Sequence, residues 1–210
     1  DMTTVSAQVY GTWFTPEGLH VEGMLGGAIN SYDTRRQSIG GFASGDTEGF
    51  GVTALLGGGY NREYGPWQFG PSFALQVMHA SIKGFTESGS SAPLRIDDQS
   101  EAALHSELGA HIRYRFQIPD TWTVITPELL FAWRHDFLDN QISLDSQFAS
   151  GAGNRFSVAG PEMGRESILV TLGLAIQWKP ALNTYVSFTT QRGRSGYDSR
   201  FVNIGVRYSF

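Results

Sequence analysis

The chain has 210 residues, of which 17% are charged and 13% are aromatic, and its formal net charge is −5. Soluble domains carry about 25% charged residues, so this chain is poor in charge for its length. It contains no cysteine, which excludes a disulfide framework and a thiolate metal site. Acidic and basic residues are mixed along the sequence, which argues against a nucleic-acid partner.

Apolar residues recur at every second position through most of the chain, whereas no run reaches the ~18 apolar residues of a membrane helix. In the stretch 168–178, Ile168, Val170 and Leu172 alternate with Leu169, Thr171 and Gly173. The alternation predicts nine strands, which are Ala7–Phe14, Leu19–Tyr32, Phe50–Tyr60, Trp67–Val77, Leu104–Phe116, Ile125–Phe137, Ile168–Trp178, Leu182–Gln191 and Val202–Phe210. Strands of globular sheets average about 5–6 residues, whereas about 9–11 tilted residues cross a bilayer. Most of the nine have the length needed to cross a membrane.

The connections between these strands alternate in length. The segments Tyr64–Pro66, Pro119–Asp120 and Lys179–Ala181 read as tight turns. The segments Arg35–Glu48, Phe85–Glu101 and Asp139–Glu166 read as long polar loops rich in glycine and serine. Short turns at one end and long loops at the other are typical of outer-membrane barrels.

The pattern therefore predicts an all-β fold, a transmembrane antiparallel β-barrel that occupies residues 1–210 as a single domain. A soluble β-sandwich or lipocalin-like barrel would also alternate. Its strands would be shorter, however, and its inner face would pack apolar side chains instead of charges and glycines. The alternation assigns ten charged or titratable residues to the inner face, where they would line a pore: His20, Glu22, Glu107, His111, Arg113, Arg115, Glu128, Arg134, Asp136 and Arg207.

These inner residues admit two readings. They could line a hydrated pore, hold a segment that passes through it, or serve a cleavage step. The alternative is a network of opposite charges that keeps the interior solvated and the wall rigid. No catalytic, cofactor or metal site is predicted. His105 and His111 share a strand face but lie ~20 Å apart, because a strand rises about 3.3 Å per residue. His135 and Asp136 are adjacent and point to opposite faces. No G-x-S-x-G motif occurs, so an outer-membrane barrel enzyme is the least favoured class of function.

The last predicted strand carries a second signal. Asn203, Gly205, Tyr208 and the terminal Phe210 have the spacing of the outer-membrane assembly signal. This ending resembles the motif that the barrel-assembly machinery reads, and such a strand can be captured by β-augmentation. The resemblance implies insertion into the bacterial outer membrane as an integral protein. Outer-membrane lipid and lipopolysaccharide would then be partners, and the Arg35-Arg36 pair is one candidate contact for lipopolysaccharide phosphates.

Several segments, in this order, resemble the autotransporter translocator (β) domain of the type V secretion family. They are Gly18–Gly23, Tyr32–Arg36, Ser106–Phe116, Thr126–Glu128, Ala132–Phe137, Phe156–Pro161 and Arg194–Tyr197. The resemblance implies a translocator or anchor barrel that supports export and surface display of an N-terminal passenger, without a cofactor. Members form a twelve-stranded barrel with a helix in the pore. Nine strands are predicted here, so either upstream sequence or another chain is expected to complete the sheet. The alternative function is a structural barrel without a passenger, or a subunit of a larger membrane assembly.

Overall fold

The computed structural model describes residues 1–138, 143–151, 153–160, 164–194 and 197–209. Its regular structure consists of β-strands, which in chain order are β1 (Met2–Phe14), β2 (Leu19–Ser38), β3 (Gly41–Tyr60), β4 (Arg62–Tyr64), β5 (Trp67–Ile82), β6 (Phe85–Thr86), β7 (Leu94–Ile96), β8 (Gln99–Tyr114), β9 (Phe116–Gln117), β10 (Val124–Asp136), β11 (Ser143–Phe148), β12 (Phe156–Ala159), β13 (Glu166–Lys179), β14 (Leu182–Arg194) and β15 (Tyr197–Tyr208). Among the described residues, no helix is long and apolar enough to cross a membrane.

Nine long strands form the main sheet in the order β1-β2-β3-β5-β8-β10-β13-β14-β15, and the short strands β4 and β9 pair with β5 and β10. Every ladder is antiparallel, and each long strand pairs with the next long strand along the chain. All nine predicted strands are present, and the all-β antiparallel fold class is confirmed. The sheet curves into a half-barrel with β1 and β15 at its edges.

The two faces of the main sheet differ sharply in exposure. Leu108 and Leu172 are each 55% exposed on the outer face, and Ile204 is 75% exposed. On the opposite face, His111 is 6% exposed and Asp136 is 4% exposed. Curvature produces this contrast, because side chains on the concave face crowd together while those on the convex face splay apart. The polar residues are therefore on the inside of the half-barrel and the apolar residues are on the outside.

This arrangement reverses that of a soluble β-protein. Among the described residues only four apolar side chains are buried, and they form no large core: Ala43, Val124, Ala132 and Leu169. A soluble sheet gains its stability by turning large apolar side chains away from water. Here large apolar side chains are exposed on neighbouring strands across the outer face, whereas soluble monomers rarely expose large continuous apolar patches. The soluble sandwich and the lipocalin-like barrel are therefore excluded.

The predicted loop Arg35–Glu48 is wrong, because this segment is mostly strand. Strand β2 continues to Ser38 and β3 begins at Gly41, so the hairpin extends well beyond the apolar part of the sheet. Its tight turn depends on Gly40 and Gly41, whose φ angles are 76° and 144°. Glycine reaches these angles without the steric penalty of a Cβ. The polar residues of this hairpin marked it as a loop, although a strand outside a membrane needs no apolar face.

The predicted loops Phe85–Glu101 and Asp139–Glu166 also contain strands. Strands β6 and β7 lie in the first segment, and β11 and β12 lie in the second. The four strands form a second sheet in the order β12-β11-β7-β6, in which Ser146 of β11 is opposite Ile96 of β7. We call this the external sheet, after the end of the barrel where long loops are expected. Because its strands come from two separate segments of the chain, no local sequence pattern predicts their pairing.

Candidate functional site

Three clusters of polar side chains lie on the described inner face, and the first joins two strands to the connection between β3 and β4. Asn61 lies between His20 of β2 and His111 of β8. Its Nδ2 is 3.2 Å from His20 Nδ1, and its Oδ1 is 2.6 Å from His111 Nε2. The His20 ring lies over Gly59, where a Cβ would be 2.9 Å from the ring. Glycine at this position leaves room for the imidazole next to Asn61.

Two ion pairs between β8 and β10 form the second cluster. Arg113 and Glu128 are opposite each other in the ladder, and their side chains meet at 2.8 Å. Glu107 and Arg134 are also directly opposite, and the Arg134 guanidinium donates to the Glu107 carboxylate. Both pairs are partly exposed, so each contributes little to stability. Their opposite charges neutralise one another along the wall.

The third cluster is more deeply buried and spans three strands. Asp136 at the end of β10 forms an ion pair with Arg194 of β14 at 2.7 Å, and His105 of β8 lies 3.8 Å from the same carboxylate. Arg194 also donates from Nε to the carbonyl of Gly164, at 2.9 Å. His105 is held on its other side by Gln76, at 2.9 Å. Since β13 lies between β10 and β14, Arg194 ties two strands that do not pair with each other.

The structure places the other inner-face candidates outside these clusters. Glu22 lies against Gly57, with its carboxylate 2.9 Å from where a Cβ would be. Arg115 follows β8 and is exposed, and its backbone N–H donates to the carbonyl of Pro66. Arg207 is opposite Asn183 near the end of β15 and is also exposed. The predicted set is therefore divided into local groups and does not converge on one point.

His135 and Asp136 lie on opposite faces. The His135 ring is on the outer face, where its Nδ1 lies 2.6 Å from Glu166. The indole N–H of Trp133 donates to the same carboxylate at 2.5 Å. Among the described residues, no group of three or more His, Asp or Glu side chains could hold a metal ion.

Sequence reasoning missed Asn61, Gln76 and Arg194. Asn61 lies in the short connection between β3 and β4, outside any predicted strand, so alternation gave it no face. Gln76 belongs to the inner face but carries no charge that would mark it. Arg194 is beyond the end of the predicted strand Leu182–Gln191. The register of β14 shifts between Gln191 and Arg194, which alternation cannot anticipate.

A shallow hollow of about 500 Å³ lies on the inner face above these clusters. Small or unbranched side chains line much of its floor: Gln8, Gly26, Ala28, Gly51, Thr53 and Met78. Glu101 and Arg194 lie at its rim. Gly26, Ala28 and Gly51 project little from the sheet, so this part of the interior of the half-barrel is open.

The predicted assembly signal lies on β15, except for Phe210, which is outside the described residues. Asn203 is opposite Ser187, Gly205 is opposite Tyr185, and Tyr208 is opposite Leu182, all on β14. The Tyr185 ring covers Gly205, so the signal's glycine is in direct contact with the preceding strand.

The external sheet is joined to the β2–β3 hairpin by an ion pair in which Glu87 is buried and Arg36 is partly exposed. The Arg36 guanidinium donates to both carboxylate oxygens of Glu87, at 2.8 and 2.6 Å, and the Leu94 amide donates to the same carboxylate at 2.8 Å. Desolvation acts to raise the pKa of Glu87, but the hydrogen bonds from Arg36 and Leu94 and the Arg36 charge outweigh it and lower that pKa. The hydrogen bond to Glu87 in turn raises the pKa of Arg36.

Comparison with known proteins agrees with this architecture. The family model described as "Autotransporter beta-domain" matches residues 1–189. The translocator domain of the autotransporter NalP from Neisseria meningitidis is similar in structure, with a TM-score of 0.73 and 15% identity over 100% of this chain and 68% of that one. The beta domain of the Bordetella autotransporter BrkA has a TM-score of 0.65 and 17% identity, over 100% and 74% of the two chains. No curated protein matches the sequence significantly.

Proposed function

The chain belongs to the autotransporter β-domain family, and we propose that it is an outer-membrane translocator barrel that anchors an N-terminal passenger and supports its export to the cell surface. The observation that carries this proposal is the opposite character of the two sheet faces. Apolar side chains cover the outside, and paired charges line the inside. A sheet with these faces is stable where lipid surrounds it and water fills it.

The outer face supports a location within a bilayer. Along one line of paired residues, Phe73, Leu108, Trp133 and Ile168 follow one another on adjacent strands. All four side chains are at least 42% exposed, and no described part of the protein covers them. In water this surface would drive aggregation, whereas in lipid it drives insertion. We therefore assign the surrounding partner as outer-membrane lipid, including lipopolysaccharide.

The inner face supports passage of a polypeptide. We propose that the ten inner-face candidates line a hydrated pore, with their ion pairs keeping the wall solvated and rigid. The hollow beside Gly26, Gly51 and Thr53 would take a passenger segment, because its floor has few bulky side chains. This role is transport without chemical turnover, so we assign neither a catalytic residue nor a cofactor.

The sheet edges support two further partners. Strand β1 is exposed along its whole length from Met2 to Phe14, and β15 has a similarly open side. An uncovered strand of this length is a template for pairing with other chains. We propose that further strands, from upstream sequence or from another chain, complete the barrel. We also propose that the barrel-assembly machinery recognises β15 through Asn203, Gly205, Tyr208 and Phe210.

The proposal is tested on the protein extracted from outer membranes and detected by an antibody to its C-terminal segment. We expect a species well above 23.0 kDa. Protease added to intact cells should remove a surface domain and leave a membrane-embedded fragment. A mature species of 23.0 kDa with no surface domain would overturn the passenger role. That outcome would support a structural barrel or a subunit of a larger assembly.

A further inference from the structure

The outer face of the last two strands ends in two arginines. On β14 the outward residues from the short-turn end upward are Leu182, Thr184, Val186, Phe188, Thr190 and then Arg192. On β15 they are Tyr208, Val206, Ile204, Val202 and then Arg200. Each arginine is thus the first charged residue above an otherwise uncharged stripe on its strand.

The two arginines are close neighbours. Arg200 is opposite Thr190, and Arg192 follows Thr190 by two residues on the same face. Diagonal neighbours of this kind lie about 7–8 Å apart between Cα atoms, so two guanidinium groups can reach one ligand. Arg192 is also opposite Ile168, which in turn is opposite Trp133. The exposed Trp133 side chain therefore lies at the same level of the outer face, two strands away from Arg192.

Within the described parts of the chain, neither guanidinium has an ion pair or a hydrogen bond, and both residues are exposed. The nearest outward acid is Asp198, two residues beyond Arg200 on β15, and none of the ion pairs among the described residues joins it to either arginine. The other acid nearby, Glu166, already accepts hydrogen bonds from Trp133 and bonds to His135. Neither arginine is therefore held in an ion pair within the part of the protein that the structure describes, so both guanidinium groups are available to an external anion.

The depth of Arg192 and Arg200 in the membrane makes the lack of an ion-pair partner important. Eight residues separate Arg200 from Tyr208, which is roughly 20 Å along the membrane normal for a strand tilted by about 40°. The apolar band of such barrels is about 25 Å tall, so Arg200 lies near the upper edge of the hydrocarbon. An outward arginine at that level extends its guanidinium toward the headgroups and requires an anion there.

We propose that Arg192 and Arg200 form a binding site for a phosphate group on the headgroup of an outer-leaflet lipid. Two guanidinium groups match phosphate oxygens in charge and geometry, and the apolar stripe below them takes the lipid's acyl chains. The site rests on the proposed outer-membrane location. On β2 and β3, by contrast, the first outward charges are acidic, Asp33 and Glu48.

The test compares wild type with the double variant R192Q/R200Q, each expressed as the full-length protein and extracted from outer membranes in mild detergent. The measured quantity is phosphorylated glycolipid that remains bound per protein, determined by native mass spectrometry. Wild type should retain it, and the double variant should retain about tenfold less, as expected for loss of two charge-assisted contacts. Equal retention by the two proteins would overturn the site.

The matched control is R62Q/K179Q, which also removes two positive charges but at the short-turn end of the barrel. This variant should retain the lipid as wild type does, and parallel losses in both variants would mean that only net charge matters. Added inorganic phosphate and the dephosphorylated glycolipid separate the possible sources. If the site binds the phosphorylated lipid, neither competitor should displace that lipid from the protein. Displacement by inorganic phosphate alone would overturn the lipid assignment. Resistance of the folded barrel to unfolding in cold SDS, scored for every variant, reports insertion separately from lipid binding.

Discussion

The phenol ring of Tyr185 occupies the space that a side chain on Gly205 would need. The two residues are opposite each other on β14 and β15, and a Cβ built on Gly205 would lie 2.2 Å from the ring. The aromatic ring therefore lies directly against the backbone of the last strand at Gly205, and only glycine permits this approach. The contact joins the strand that carries the assembly signal to the strand before it.

Replacing Gly205 with alanine should destabilise the barrel by about 1–3 kcal/mol, because the added methyl group forces the Tyr185 ring off the strand. The measurement is the urea midpoint of the inserted protein. Gly11→Ala is the control, since a Cβ at Gly11 meets no atom within 4 Å. Similar midpoints for the two variants would show that the ring moves aside at no cost.

Arginine in place of Leu172 should cost about 2–4 kcal/mol, because Leu172 is 55% exposed on the middle of the outer face and faces lipid in the proposed location. Arginine in place of Thr171 should cost only about 1 kcal/mol, through loss of the 2.8 Å hydrogen bond to Thr189 on the inner face. The fraction of each variant that inserts into outer membranes, together with its urea midpoint, measures the difference. Equal effects at the two positions would mean that the assignment of the lipid-facing and inner faces is wrong.

The same alternation made the main sheet predictable from sequence. Leu172 and Thr171 differ in character because one contacts the outside and the other the inside, and this local period of two survives without any knowledge of the partners. The charged candidates Glu107, Arg113 and Glu128 could be assigned to the inner face for the same reason. Which of them would pair depended on register, and the sequence alone does not state register.

The remaining features depend on contacts between distant segments. The external sheet pairs Ile96 with Ser146, which are far apart in the sequence. Its strands were therefore predicted to be loops. Arg194 reaches Asp136 from beyond a register shift, and Asn61 bridges two histidines from a connection. None of these positions carries a periodic signal, because each is defined by its partner and not by its neighbours in sequence.

Glutamine in place of Arg194 should lower stability much more than glutamine in place of Arg113. The Arg194 and Asp136 side chains are 13% and 6% exposed, so the change leaves a carboxylate buried without its partner, at a cost of about 3 kcal/mol. The Arg113 and Glu128 side chains are 36% and 28% exposed, and water compensates most of that loss, which should stay below about 1 kcal/mol. Urea midpoints of the purified proteins measure both values.

The double variant R194Q/D136N serves as the check on this explanation. It removes the unpaired charge as well as the cation, so it should recover part of the stability lost in Arg194→Gln. If the stability lost in the double variant, relative to wild type, equals the sum of the losses in Arg194→Gln and Asp136→Asn, the loss in Arg194→Gln does not arise from an isolated buried carboxylate.

The attachment of the external sheet should weaken in acid. The pKa of Glu87 is lower in the folded protein than its ordinary value of 4.5, so the Arg36–Glu87 pair contributes stability above that value and loses it as the pH falls through the lowered pKa. Arg36 stays charged throughout, because its pKa is raised. The protection factor of the Leu94 amide against hydrogen exchange should therefore fall below pH 4.5, because this amide donates to Glu87. In Glu87→Gln this acid-induced step should be absent, while Glu48→Gln, which removes an exposed pair with Lys83, should keep it. An acid step that persists in Glu87→Gln would assign the weakening to another group.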